Sequence, residues 1–250
     1  MIVNVLADDR LELIYQPSHA LLSAQVAARW RWEQRPERWW QTLVAISQHD
    51  NGWVEPEREP SLTGSGRPAN FTERTTEEAL AQWRRGVARG AHQGQWIGLL
   101  IARHAWRLYQ TQRGEEAAID AWLEEIEVQQ EAWMAALGVS EEEVARADAL
   151  MRWCDWFSLV LCWRRLPADG SAVSLGAGPD GTRYEAWTVG GGEVAVSPWP
   201  FTEPRFDVTA EVRTLGQVHF ESSRALQEAL GMATVETRTW TVRPGSGVAE

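Results

Sequence analysis

The segment MRWCDWFSLVLCW, residues 151–163, indicates the fold class of the chain. If it is helical, apolar side chains occupy most of its circumference, so we expect the helix to be buried on most sides. Thirteen of the sixteen tryptophans also lie before residue 166. Together these features predict one well-packed helical core in the first two-thirds of the chain.

One acidic residue, Asp155, interrupts this apolar segment. An ionised carboxylate is costly in a buried position unless it is paired with a cation or bound to a metal. Two interpretations are therefore open: a salt bridge to one of the many arginines, or a metal ligand.

A second apolar helical pattern ends in ISQHDNGW, residues 46–53. Helix capping explains Asp50 poorly, because a carboxylate at a helix C-terminus opposes the helix dipole. An adjacent histidine and aspartate can instead bind one divalent cation through an imidazole nitrogen and a carboxylate oxygen. We therefore interpret His49 and Asp50 as a ligand pair, after which Gly52 lets the chain turn away.

The other four histidines have different contexts. His19 lies in the first turn of a helix and, taken alone, is more typical of a hydrogen-bonded core histidine than of a ligand. His104 is in the middle of the apolar helical segment LLIARHAWRLY, whereas His92, in ARGAHQGQ, is expected at the surface. On one helix His92 and His104 would be roughly 18 Å apart, so one metal cluster cannot use both. His219 is expected to be structural or exposed.

Charge and composition exclude several function classes. The net charge is −11 and all 24 basic residues are arginines, which excludes a Schiff-base or phosphate-loop lysine. An acidic chain is a poor candidate for nucleic-acid binding. In ARWRWEQRPERWW, residues 28–40, we favour arginines stacked on tryptophans over a nucleic-acid or membrane patch.

The chain has neither a bilayer-spanning apolar run nor an N-terminal secretion signal, so a cytoplasmic location is expected. Cys154 and Cys162 would lie roughly 12 Å apart along one helix and are expected to be buried thiols.

Three regions follow from the change of periodicity. Residues 1–15 form a predicted β-hairpin, residues 16–167 are mainly helical, and residues 168–250 are rich in alternating strands with one short helix. We expect an α+β, mainly α fold in which the hairpin joins the late strands in one antiparallel sheet. Residues 52–71, with three prolines and three glycines, predict a long loop that covers the site. Trp53 and Phe71, at its two ends, are the predicted contacts to a bound small molecule.

The order His19, His49-Asp50, His104, Asp155 resembles the HD superfamily of metal-dependent phosphohydrolases, which are helical proteins named for the adjacent pair. More narrowly, QPSHALLSAQVAARW, AISQHDNGW, PSLTGSGRPANF and CDWFSLVLC are similar to segments of an uncharacterised bacterial family, domain of unknown function 3891. The HD resemblance implies an HD-like helical bundle and a metal site formed by His19, His49, Asp50 and Asp155. It leaves His104 as an additional ligand or a substrate-facing acid.

The function expected from this resemblance is a metal-dependent hydrolase. Mixed nitrogen and oxygen ligands favour Mn, Fe, Ni or Zn over Mg, and Asp50 would orient a water molecule as the catalytic base. No nucleotide cofactor is expected, since the glycine-rich segment SLGAGPDG (174–181) opens no helix. The substrate would be a small phosphorylated molecule or a nucleotide. Two alternatives stay open: an HD-type di-iron oxygenase and a non-catalytic ligand-binding protein.

Overall fold

The computed structural model describes residues 1–245 and has an α+β fold. The strands are β1 (Ile2–Val5), β2 (Leu11–Ile14), β3 (Val173–Ala177), β4 (Arg183–Gly190), β5 (Glu193–Ser197), β6 (Phe206–Leu215) and β7 (Thr234–Pro244). The α-helices are α1 (Gln16–Ala28), α2 (Trp39–Gln48), α3 (Val54–Arg58), α4 (Thr76–Gln93), α5 (Gln95–Tyr109), α6 (Ala117–Leu137), α7 (Glu141–Cys162) and α8 (Ser223–Met232).

All seven strands belong to one sheet in the order β1-β2-β6-β7-β5-β4-β3. As predicted, the N-terminal hairpin joins the late strands, through antiparallel pairing of β2 with β6. The prediction of a purely antiparallel sheet is wrong, because β5 and β7 run parallel. The sheet is therefore mixed.

The connection between β5 and β6 explains the parallel pair. Residues 198–205 leave the sheet and cross the end of α1, where Trp30 forms an isolated bridge with Phe201. The chain then re-enters the sheet two strand positions away, and β7 fills the gap between β5 and β6. Strand alternation predicts which face is buried but not which strands are neighbours.

The four residues of β2 are all buried, because both faces of this strand are covered. Leu11 and Leu13 pack in a small apolar cluster with residues of α8, while Ile14 on the other face packs in the main core. Glu12 shares that second face and is neutralised by two arginines, Arg164 and Arg238.

Helix α1 lies between the sheet and the other helices. It contacts β6 on one side and both α2 and α7 on the other, and α5 in turn contacts α2 and α7. The main core between these layers holds a cluster of aromatic rings at centroid distances between 4.9 and 6.0 Å: Trp30, Trp153, Tyr184 and Phe201. None of the helices within residues 1–245 has the length and apolar character needed to cross a bilayer.

Serine side chains cap two of the helices. Ser140 and Ser222 cap α7 and α8, since each hydroxyl accepts a hydrogen bond from a first-turn amide. The Ser18 hydroxyl lies within α1 and accepts instead from the amide of Glu211 in β6, which connects the helix to the sheet.

The predicted loop over residues 52–71 is partly helical. A 3-10 turn, Asn51–Trp53, leads directly into α3. Pro56 is tolerated within α3 because it lies in the first turn, where the backbone amides of a helix have no intrahelical partners. The rest of the segment folds against the C-terminal region, where the amide of Phe220 donates to the carbonyl of Gly66.

Candidate metal centre

Four helices bring the five predicted site residues together. His19 is on α1, His104 on α5 and Asp155 on α7, while His49 and Asp50 directly follow α2. These helices are the ones that contact each other around α1 and α2. Five titratable side chains from separate parts of the sequence are thus collected in one place among the packed helices.

The imidazole Nε2 atoms face the two carboxylates. His19 Nε2 lies 3.1 Å from both Asp50 Oδ2 and Asp155 Oδ1. His49 Nε2 lies 3.5 and 3.3 Å from the same two oxygens, and His104 Nε2 is 3.6 Å from Asp155 Oδ2. The side chains of His19 and His49 are 1 % exposed, so the cluster is almost closed to bulk water.

A backbone carbonyl sets the tautomer of His49. Its Nδ1 is 2.7 Å from the carbonyl oxygen of Ile46, and a carbonyl only accepts hydrogen bonds, so Nδ1 carries a proton. In the neutral ring Nε2 is then unprotonated and presents its lone pair to the carboxylates. A hydrogen bond of this kind on the far nitrogen is typical of metal-binding histidines.

Ser158 holds His19 in the same way. The Ser158 hydroxyl donates to the carbonyl of Asp155 at 2.8 Å, so it accepts from His19 Nδ1 at 2.5 Å. Ser23 completes the network with a hydroxyl 2.8 Å from that of Ser158. His19 Nε2 therefore also presents a lone pair to Asp50 and Asp155 when the ring is neutral.

An unprotonated Nε2 and a carboxylate oxygen repel each other at these distances unless a proton or a metal cation lies between them. Without a metal, protonation relieves the repulsion. Burial alone would lower the pKa of His49, but Asp50 and Asp155 outweigh it and raise that pKa to about 9. The pKa of His19 is raised by the same carboxylates against its burial. Burial would raise the pKa of Asp155, yet hydrogen bonds from His19 and His49 hold it well below its usual range.

The donor set also fits a divalent transition metal. One donor atom from each of His19, His49 and Asp155 lies within 4.8 Å of the other two, as one shared ion requires. Asp50 adds a second carboxylate oxygen next to both histidines. Imidazole and carboxylate donors together suit Mn, Fe, Ni or Zn better than Mg.

His104 differs from the other two histidines. Its Nδ1 is buried without a hydrogen-bond partner in the described part of the chain, so nothing fixes its tautomer. Burial lowers its pKa, and the carboxylates offset this only in part. The ring packs edge-on against Trp83 at a centroid distance of 5.9 Å.

A cavity of about 280 Å³ opens onto the cluster. Its lining includes all five site residues and both predicted small-molecule contacts, Trp53 and Phe71. The rings of Trp53 and Phe71 touch edge-on at 6.2 Å, and Phe71 stacks on Trp163 at 5.0 Å. A larger groove of about 980 Å³ lies elsewhere, between α1, β6 and α8, and contains none of the five residues.

Several other expectations can be compared with the structure. Residues 61–67, the centre of the predicted covering loop, are absent from the cavity lining, so only the two ends of the loop reach the site. Asp155 forms no ion pair with an arginine within residues 1–245; its partners are histidines. His92 and His219 are exposed, and both cysteines are buried free thiols, as predicted.

The sequence analysis missed the polar residues around the cluster. Ser158 could have been noticed, since it is a polar residue in the apolar segment of α7, one helical turn after Asp155. Gln16, Arg74 and Gln82 also line the cavity, but they lie in ordinary amphipathic surroundings and no local pattern marks them. Gly52 has a second role: a Cβ there would lie 2.2 Å from the carbonyl oxygen of Gln82, so the glycine allows α4 to approach.

Comparison with curated proteins and with solved structures finds no match to this chain. One family model does match it, over residues 1–217, and its description is "Protein of unknown function (DUF3891)". Because this match covers most of the 250 residues, the chain belongs to that family.

Proposed function

We propose that this protein is a metal-dependent hydrolase of the HD type that acts on a small phosphorylated molecule. The observation that carries the proposal is the convergence of the Nε2 atoms of His19 and His49 on the carboxylates of Asp50 and Asp155 at a cavity. The order of these residues along the chain, with an adjacent His-Asp pair, supports the HD assignment.

His19, His49, Asp50 and Asp155 would hold the ion. A divalent ion in this position would lower the pKa of a bound water molecule and polarise a substrate oxygen. Asp50 lies at the margin of the donor set and would orient that water. His104, whose second nitrogen has no partner, would supply or accept a proton at the substrate.

The size of the cavity narrows the choice of substrate. Ligand pockets usually measure about 300–1,000 Å³, so a cavity of about 280 Å³ favours a small metabolite over a nucleotide. Its aromatic walls, among them Trp53, Phe71 and Trp83, would exclude water around the bound molecule.

Elemental analysis of the purified protein tests the proposal. We expect about one divalent transition metal per chain in the wild type and a loss of most of it in His49→Ala. His92→Ala is the matched control, because His92 is exposed and outside the cluster. The metal-loaded wild type should also hydrolyse a small phosphomonoester, and His49→Ala should not.

Other results would favour the alternatives. Two irons per chain with absorption in the visible range would favour a di-iron oxygenase. The same trace of metal in the wild type and in His49→Ala would remove the metal site and leave a non-catalytic ligand-binding protein.

A further inference from the structure

Arg74 is the one arginine that lines the cavity next to the His/Asp cluster. It precedes α4, and its guanidinium lies over the ring of Trp53, 4.9 Å from the centroid. Only 14 % of its side chain is exposed. A cation is thus held largely out of water at the wall of the cavity.

Within residues 1–245 the guanidinium has the ring of Trp53 and one distant carboxylate as partners. Its Nε is buried without a hydrogen-bond partner within residues 1–245. Glu78 is the sole carboxylate of the described residues within 4 Å, and its Oε2 lies 3.7 Å from Nε, beyond hydrogen-bond distance. That oxygen accepts instead from the amide of Thr75 in the capping box of α4. A buried cation with unused donors is costly unless a ligand supplies the acceptors.

Two glutamines of the same cavity are also incompletely bonded. Gln16 and Gln82 are 2 % and 1 % exposed, and each has a side-chain polar atom, Oε1 and Nε2 respectively, with no partner in the described part of the chain. Together with His104 Nδ1 and Arg74 Nε, four unpartnered buried polar atoms belong to residues of one small cavity. Such groups are rare in folded proteins and usually mark a bound molecule or water.

We propose that Arg74 binds the oxyanion of a small polar acid whose other end faces the His/Asp cluster. Gln16 and Gln82 would exchange hydrogen bonds with hydroxyl or amide groups of the same molecule, and Trp53 would hold the guanidinium plane in place. The oxyanion is a phosphate or a carboxylate, since a guanidinium forms paired hydrogen bonds with either. This inference rests on the proposed function in one respect only, which is that the end of the molecule that reacts faces the His/Asp cluster.

Isothermal titration with inorganic phosphate and with glycolate tests the inference without measuring turnover. Both are titrated into metal-free and into metal-loaded protein. We expect at least one of them to bind the wild type in both forms. Arg74→Gln should weaken that binding at least about tenfold, since charge-assisted hydrogen bonds are lost. Metal content should be unchanged in this variant.

Arg84→Gln is the matched control. Arg84 is on α4, the helix that follows Arg74; it is half exposed, pairs with Glu125 at 2.9 Å and lies outside the cavity. The Arg84→Gln substitution changes the net charge by the same amount as Arg74→Gln. The affinity of the Arg84→Gln variant for the probes should nevertheless equal that of the wild type. If Arg74→Gln does not fold, Arg74→Lys replaces it. Lysine keeps the charge but loses the planar fork, and we expect severalfold weaker binding.

The outcomes separate this inference from the proposed function. Equal binding by the wild type and by Arg74→Gln, or no binding of either probe to the wild type, would overturn the inference whatever the metal content. Arg74-dependent binding in a protein that holds no metal would keep the inference and remove the hydrolase. A preference for glycolate over phosphate would support the arginine site and would indicate that the substrate is a carboxylic acid rather than a phosphoester.

Discussion

The ion cluster around Glu12 allows a quantitative prediction. Glu12 is 2 % exposed, and its carboxylate accepts hydrogen bonds from Arg164 at 3.1 and 2.5 Å and from Arg238. Burial would raise the pKa of Glu12, but the two arginines outweigh it and lower the pKa from 4.5 to about 2. The cluster joins the N-terminal hairpin to the end of α7 and to β7, so its loss should affect global stability.

The perturbation is Glu12→Gln, which keeps the shape and removes the charge. A lowering of the pKa from 4.5 to about 2 corresponds to about 3 kcal/mol of stability at neutral pH. Because Arg164 is half exposed, solvent screening makes this an upper value. We therefore expect Glu12→Gln to lower the free energy of unfolding by about 2–3 kcal/mol at neutral pH.

The sign of the pH dependence follows from the direction of the shift. A carboxyl whose pKa is lower in the folded state contributes its full stability above the unfolded value, 4.5, and loses it as the pH falls towards about 2. Urea unfolding of wild type and variant at a series of pH values should therefore show a difference that is constant above 4.5 and shrinks below it.

Glu203→Gln is the control, since Glu203 pairs with Arg29 at 2.8 Å in a partly exposed salt bridge. It should cost less than about 1 kcal/mol. A difference below about 1 kcal/mol for Glu12→Gln at neutral pH, or one that does not change with pH, would refute the reasoning.

Three further predictions concern the site and the core. Ser158→Ala should weaken metal binding about 10–100-fold, measured by chelator competition, because His19 loses the acceptor that orients its ring; unchanged affinity would show that packing alone orients the ring. Gly52→Ala should destabilise the fold by more than about 1 kcal/mol in urea unfolding, because its Cβ would meet the backbone of α4; wild-type stability would mean that the turn relaxes without cost. Cys154 and Cys162 should not react with Ellman's reagent in the native protein, since burial raises both thiol pKa values; rapid native labelling would indicate local opening of α7.

The sequence predicted the helical part of the fold and, for one shared reason, four of the five clustered residues; His19 followed only from the HD resemblance. Charged or titratable side chains inside apolar helical patterns are costly, so His49, Asp50, His104 and Asp155 stood out where they interrupted such patterns. The structure brings these residues together, as the order along the chain suggested. That they bind a metal, and that they catalyse a reaction, stay predictions.

Other features were not predictable from local patterns. The parallel pairing of β5 with β7 depends on where residues 198–205 cross α1, and alternation within each strand contains no such information. Helix α3 was interpreted as a loop because prolines and glycines dominate its surroundings. Arg74 could not be singled out from 24 arginines, because its significance comes from burial and from acceptors that the fold does not supply.

The position of β7 has a consequence for how the chain folds during synthesis. β7 is the last of the described strands, yet it lies in the interior of the sheet, between β6 and β5. Until residues 234–244 have left the ribosome, β1-β2-β6 and β5-β4-β3 can each form but cannot join. Both partial sheets then have an unpaired strand that is later covered, and such strands bind other chains readily. The nascent protein should therefore depend on chaperones most strongly while β7 is still missing from the sheet, and completion of the sheet should be the slow step of refolding.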